Sequence, residues 1–239
     1  MTIDARTAAL AGLIDHAALF PPASMSLANA LTEDARVRAG AESVLVRRFV
    51  VPASRLDELG PAELPLSVVL DAPYAGRDPR VEAVEAPPGA DLDAVVGLAG
   101  EAYAELPADL DRLAALGLSA KVRCGGARVP SVPEVAAVVR GCRERGLVFK
   151  ATAGLHHAVR RDGEHGFLNV LAACVFGDEE RALVDEDQAG FALDAESFRW
   201  RGRSADAAAV ARVRAELWSG FGSCSIAEPF DELRSLGVL

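Results

Sequence analysis

The sequence predicts a (β/α)8, TIM-like barrel, and three observations lead there. Short runs rich in Val, Leu and Phe alternate with Ala-, Leu-, Arg- and Glu-rich stretches of helical period, the pattern of strand–helix units repeated around a parallel sheet. Eight of the apolar runs qualify as strands, the number at which such a sheet closes into a barrel. With 239 residues and 51% hydrophobic content, the chain can fill one large core, so residues 1–239 are expected to form a single α/β domain.

In order, the expected strands begin near residues 17–23 (AALFPPA), 43–51 (SVLVRRFVV), 66–72 (LSVVLDA), 81–86 (VEAVEA), 102–106 (AYAEL), 119–124 (SAKVRC), 147–153 (LVFKATA) and 222–226 (GSCSI). The helices between them are expected over 26–39, 53–59, 91–99, 108–116, 132–145, 166–176 and 204–218. Pro and acidic residues occupy the first turns of PADLDRL and SVPEVAAVV, while Gly40, Gly117 and Gly146 stand where helices should stop. The rhythm breaks twice. The link from VVLDA to VEAVEA is too short for a full helix, and an acidic helical piece after residue 176 leads into FALDAESFRWRGR. There Phe191 and Leu193 alternate, as do Phe198 and Trp200, around a turn-prone DAES, which predicts a small β-hairpin inserted before the last strand.

Composition narrows the function. A formal charge of −10 disfavours nucleic acid and anionic membranes, both of which need a basic face, and no apolar run is long enough to span a bilayer. No charged leader with an apolar core opens the sequence, so a cytoplasmic protein with a small-molecule substrate is expected, with a homo-oligomer left open. Four widely spaced cysteines, without a C-x-x-C pair, point to reduced thiols rather than a zinc ribbon or disulfides.

The sharpest chemical signal is a scarcity. Of 25 basic residues only Lys121 and Lys150 are lysine, and both stand in apolar runs that read as strands. An arginine can make the same ion pair but cannot lose its proton or form an imine, whereas a desolvated lysine can do both. Strand alternation places Lys121 with Arg123, Lys150 with Thr152, and Tyr103 with Glu105 on single faces, and these polar members are expected to point into the barrel. Glu85 closes VEAVE as a further carboxylate near the C-terminal rim, where barrel enzymes keep their catalytic groups.

LVFKATAG resembles the strand of deoxyribose-phosphate aldolases that carries the Schiff-base lysine, which implies an imine on Lys150. LIDHAALFPPAS, SVLVRRFVVPASRLDEL and AKVRCGG are similar, in the same order, to that family's first strand, its second strand with the following helix, and its Leu-Lys-Val strand. The matches cover about residues 13–59 and 119–155. The family's further lysine on the strand after the imine strand has no counterpart, so Lys121 would have to lower the Lys150 pKa from the other neighbouring strand. The acid/base Asp is replaced by Glu82 or Glu85, and the glycine-rich phosphate loops are missing. Taken whole, the chain also resembles a family of similar-length bacterial proteins, a likeness that implies no activity.

The expected function is therefore a cofactor-independent lyase of the class I aldolase type acting on a small oxygenated carbonyl compound. Lys150 would attack, Lys121 with Arg123 would tune it, and Glu85 or Glu105 would move protons. Arg48, Arg123, Thr152, His156, His157, Asn169, Ser223 and Ser225 would hold the substrate. His16 reads as structural. A metal-dependent hydrolase or isomerase built on His156, His157 and His165 with Glu85 and Glu105 is one alternative, although the histidine spacing matches no recognised ligand pattern and no metal is expected. A non-catalytic ligand-binding barrel, in which the lysines merely pair with carboxylates, is the other.

Overall fold

The computed structural model describes residues 3–239. Its centre is a closed parallel barrel of β1 (Ile14–His16), β2 (Val46–Pro52), β3 (Leu66–Val69), β4 (Val81–Ala86), β5 (Glu101–Glu105), β6 (Ser119–Arg123), β7 (Phe149–Thr152) and a last strand, Trp218–Ser223, that pairs with both β7 and β1. The helices are α1 (Ala5–Leu10), α2 (Leu27–Ala39), α3 (Leu92–Val95), α4 (Leu110–Leu116), α5 (Val132–Arg145), α6 (Phe167–Phe176), α7 (Glu179–Val184), α8 (Ala207–Glu216) and α9 (Ala227–Ser235). The (β/α)8 architecture predicted from the alternation is present.

Alternation along each strand separates two cores. Phe49, Val51, Val84, Ala120, Phe149 and Ala151 are buried and belong to the hydrophobic core shared with the helices. Burying a side chain the size of Phe149 contributes roughly 2–3 kcal/mol. The other face of the strands points into the barrel and carries the charged residues. Helix starts follow the sequence signals: Ser131 and Glu134 form a capping box on α5, Asp109 accepts from the first-turn amides of α4, and Asp206 accepts from Ala209 N at α8.

The insertion is larger than a hairpin. β8 (Phe191–Leu193), β9 (Ser197–Trp200) and β10 (Arg203–Asp206) form a three-stranded antiparallel sheet, so the first residues expected of a helix over 204–218 belong to a strand. The Trp218–Ser223 strand is thus β11. Arg201 and Gly202, both at positive φ, make the two-residue turn that returns the chain from β9 to β10. The sheet packs against α1 and α8 and meets the C-terminal end of α6, a helix apolar almost all round with Phe167 through Cys174 buried. Phe176 at its end stacks on Phe198 at 5.7 Å and lies 6.0 Å from Trp200, and α7 packs along it.

Other elements shift. Residues 17–23, expected as the first strand, form a loop in which Pro21 and Pro22 offer no amide to a ladder, and β1 precedes it. Residues 53–59 form a 3-10 helix, and the helix expected over 91–99 shrinks to the single turn of α3. All four cysteines are free, and burial pushes the Cys124 and Cys142 thiols up to about 12. Among the described residues no helix is long and apolar enough to cross a membrane.

Candidate active site

Register brings the two lysines together. Lys121 of β6 lies opposite Lys150 of β7, and Glu105 of β5 lies opposite Lys121. Between the amines stands Glu85 of β4, whose carboxylate spans both: Lys150 Nζ donates to Oε1 at 2.5 Å and Lys121 Nζ to Oε2 at 3.2 Å. Ser67 of β3 adds a hydroxyl donor to Oε1 at 2.7 Å. Lys121 also pairs with Glu105 Oε2 at 2.8 Å, and Lys150 donates to Asp15 Oδ2 of β1 at 2.5 Å.

The chain of charges continues downward. Asp15 Oδ1 accepts from the backbone N–H of Arg48 at 3.2 Å, and its Oδ2 lies 3.8 Å from Arg48 Nη1. The Arg48 guanidinium then donates to Glu101 at 2.7 Å and Glu82 at 3.0 Å, both at or near the N-terminal ends of their strands. Within the barrel, the three buried cations Lys121, Lys150 and Arg48 thus face the three buried carboxylates Glu105, Glu85 and Asp15, a balance that lets ionised groups remain out of water.

This pairing sets the protonation states. Burial pushes the Glu85 carboxyl up, yet the charges of Lys150 and Lys121 and the hydrogen bonds from Lys150 and Ser67 outweigh it and hold the group well below the usual carboxylate range. Burial likewise disfavours the Lys150 ammonium, but Asp15 and Glu85 prevail and keep it above the ordinary lysine value. The expectation that Lys121 and Arg123 depress Lys150 is therefore corrected: two carboxylates in direct contact outweigh a like charge one strand away. The β11 residue in register with Lys150 is Gly220, so no amine approaches from that side either. Tyr103 lies under the Lys150 ammonium at 5.7 Å, and burial together with Glu101 pushes its phenol up to about 12.

Above the chain, at the C-terminal ends of the strands, opens a cavity of about 770 Å³. Glu85, Glu105, Lys121, Arg123, Thr152 and Ser223 line it, as do His156 and apolar walls that include Phe20, Val50 and Leu155. Lys150, 2% exposed, is not among the lining residues and lies below Thr152 on the same strand face.

Several expected substrate contacts fall elsewhere. Arg48 serves the lower half of the barrel, because it is only the third residue of β2. Asn169 is fully buried, accepting from Arg160 N and donating to the carbonyls of Ala182 and Asp185, so it ties α6 to α7. Ser225 accepts from Glu228 N in the first turn of α9. His157 faces an outer groove, paired with Glu232 at 3.2 Å and with Arg161. His165 is buried against the Pro130 carbonyl at 2.8 Å, and His16 is buried against Asp34 at 2.9 Å. The three histidines of the metal alternative thus have separate partners, and the described residues contain no metal-holding group of His, Cys, Asp and Glu. Glu82 is half exposed at the opposite end from the cavity.

Sequence reasoning missed Asp15. The signal was the acid inside LIDHAAL, flanked by Ile14 and His16, but the first strand was expected to start after it. No known protein family, curated protein or solved structure matches this chain.

Proposed function

We propose that this chain is a lyase of the class I aldolase type, acting through a lysine imine on a small oxygenated carbonyl compound without a cofactor. One observation carries this: two lysine amines on neighbouring strands share a single buried carboxylate at the floor of a large cavity at the C-terminal end of the barrel. An amine in that floor adds to a carbonyl carbon and water leaves. The resulting iminium accepts the electron pair of a breaking carbon–carbon bond, while a base takes the proton of the β-hydroxyl group. The carboxylates beside the amines supply the base, and Arg123, Thr152, His156 and Ser223 surround the space where the substrate's oxygens would lie. The complete pairing of the lysines also suits the ligand-binding alternative, and the same experiment separates the two.

The test is reductive trapping. Incubating the protein with a panel of short hydroxyaldehydes and hydroxyketones and cyanoborohydride is expected to add one reduced adduct to a lysine of the pair, with peptide mass mapping used to set aside any adduct on the N-terminal amine. Persistent failure across the panel, alongside saturable binding of the same compounds, would replace the lyase with a non-catalytic binding barrel.

A further inference from the structure

The two lysines are not equivalent in depth. Lys121 lines the cavity together with Glu105 and Arg123, whereas Lys150 lies below, enclosed by Asp15, Glu85 and the Tyr103 ring. Building on the lyase reading, we infer that Lys121 is the amine that attacks the carbonyl, and that Lys150 is a positioning residue that fixes Glu85 beneath it.

Access is the first reason. A carbonyl compound in the cavity meets Lys121 directly, whereas Lys150 is not among the lining residues and its amine is already engaged by Asp15 and Glu85 at 2.5 Å each. The second reason is what each amine would leave behind. Removing the proton and charge of Lys150 strips Asp15 and Glu85, two carboxylates at least nine-tenths buried, of their closest cation. Lys121, by contrast, has Glu105 Oε2 at 2.8 Å on the cavity wall as a proton acceptor, and Arg123 Nη1 lies 3.6 Å from the other oxygen of that carboxylate. The third reason is a division of labour between the carboxylates. Glu85, clamped by two ammoniums, stays an anion, so it suits a fixed counter-charge to an iminium better than a proton shuttle. Glu105 is left to move protons.

The steps balance without any other reactant. The Lys121 ammonium gives a proton to Glu105, and its nitrogen lone pair forms a bond to the carbonyl carbon while the π pair moves to oxygen. Glu105 returns the proton to that oxygen, takes a second one from the nitrogen, and delivers it to the hydroxyl group, which leaves as water as the carbon–nitrogen double bond forms. One ammonium and one carbonyl thus become one iminium and one water, and Glu105 ends as it began. The positive charge remains at Nζ, 3.2 Å from Glu85 Oε2 in the resting site.

The experiment uses the native chain with glycolaldehyde and hydroxyacetone as probes and cyanoborohydride as trap, with the adduct located by peptide mass mapping. The expected result is an adduct on Lys121 at least about tenfold above any on Lys150, a difference of about 1.4 kcal/mol in barrier. An adduct chiefly on Lys150 overturns this inference and leaves the lyase reading standing. Neither lysine modified overturns both. The positioning role has its own readout in rescue by the conservative variant. Lys150→Met, which leaves Glu85 without its closest cation, is expected to slow the labelling of Lys121 severalfold, and Lys150→Arg, which keeps a cation there, to restore most of the rate. Equal Lys121 labelling rates in the native chain and both folded variants would show that Lys150 does not act on this site.

Discussion

At the scale of single residues, the barrel interior depends on charge pairing, and Lys150 is its most exacting member. It is 2% exposed and contacts one carboxylate on each side at 2.5 Å. Breaking a buried pair by removing one partner costs roughly 3–5 kcal/mol, because the other charge stays behind without compensation. Lys150→Met is therefore expected to lower the unfolding free energy at neutral pH by about that amount in urea titration. Lys121→Met, which removes the longer contact to Glu85 and leaves Glu105 beside Arg123, is expected to cost less. A smaller loss for Lys150→Met than for Lys121→Met would contradict the assigned depths. The pair itself was legible in the sequence because lysine is scarce and strand alternation predicts facing. Depth was not. Alternation states which way Lys150 or Arg48 points, but how far along the barrel axis each lies depends on where its strand begins and on the stagger between strands, which no single strand encodes.

Among elements, those with a long periodic pattern were legible and those at either end of the chain were not. The strand over residues 81–86 and the helix over 132–145 are found where the pattern puts them. β1 has three residues, too few for any period to show, and its early position hid Asp15. β11 was placed four residues late because WSGFGS, with glycines at 220 and 222, reads as a loop. The glycines answer to close packing instead. At Gly220, φ is 139°, and a Cβ there would stand 2.2 Å from the Leu13 carbonyl oxygen. Gly220→Ala must displace the backbone just before β1 and is expected to destabilise by about 2–4 kcal/mol. Gly89→Ala offers the comparison: φ is 78° and a Cβ there would meet nothing within 4 Å, so only the left-handed conformation, about 1–2 kcal/mol, is charged against it. Equal losses of melting temperature in the two variants would exclude close approach between β11 and β1 as the cause.

For the molecule as a whole, the ion chain ties β1, β2, β4, β5, β6 and β7 together from the cavity floor to Glu82 and Glu101 at the opposite mouth, so protonation is coupled to the closure of the barrel. The signs follow from the two displaced groups. Glu85 is held below its ordinary value, so its contribution is complete above the unfolded carboxyl value of about 4.3 and is lost as pH falls through the lower folded value. Lys150 is held above its ordinary value, so its contribution is complete below the unfolded value of about 10.4 and is lost only as pH rises through the higher folded one. Between those limits the two contributions should not vary with pH. Lys150→Met removes the strongest charge partner of Glu85, and burial then drives that carboxyl upward, so the folded variant takes up a proton that the native barrel refuses. The stability gap between the native chain and this variant is therefore expected to be constant on the alkaline side of neutrality and to narrow as the pH is lowered towards about 4. Because the groups are buried, moderate salt should leave the gap largely intact, unlike the contribution of exposed pairs such as Arg128 and Glu134. Parallel stability curves for native and variant chains down to the acid limb, measured by urea unfolding at each pH, would show that Glu85 and Lys150 are not coupled in the way their geometry requires.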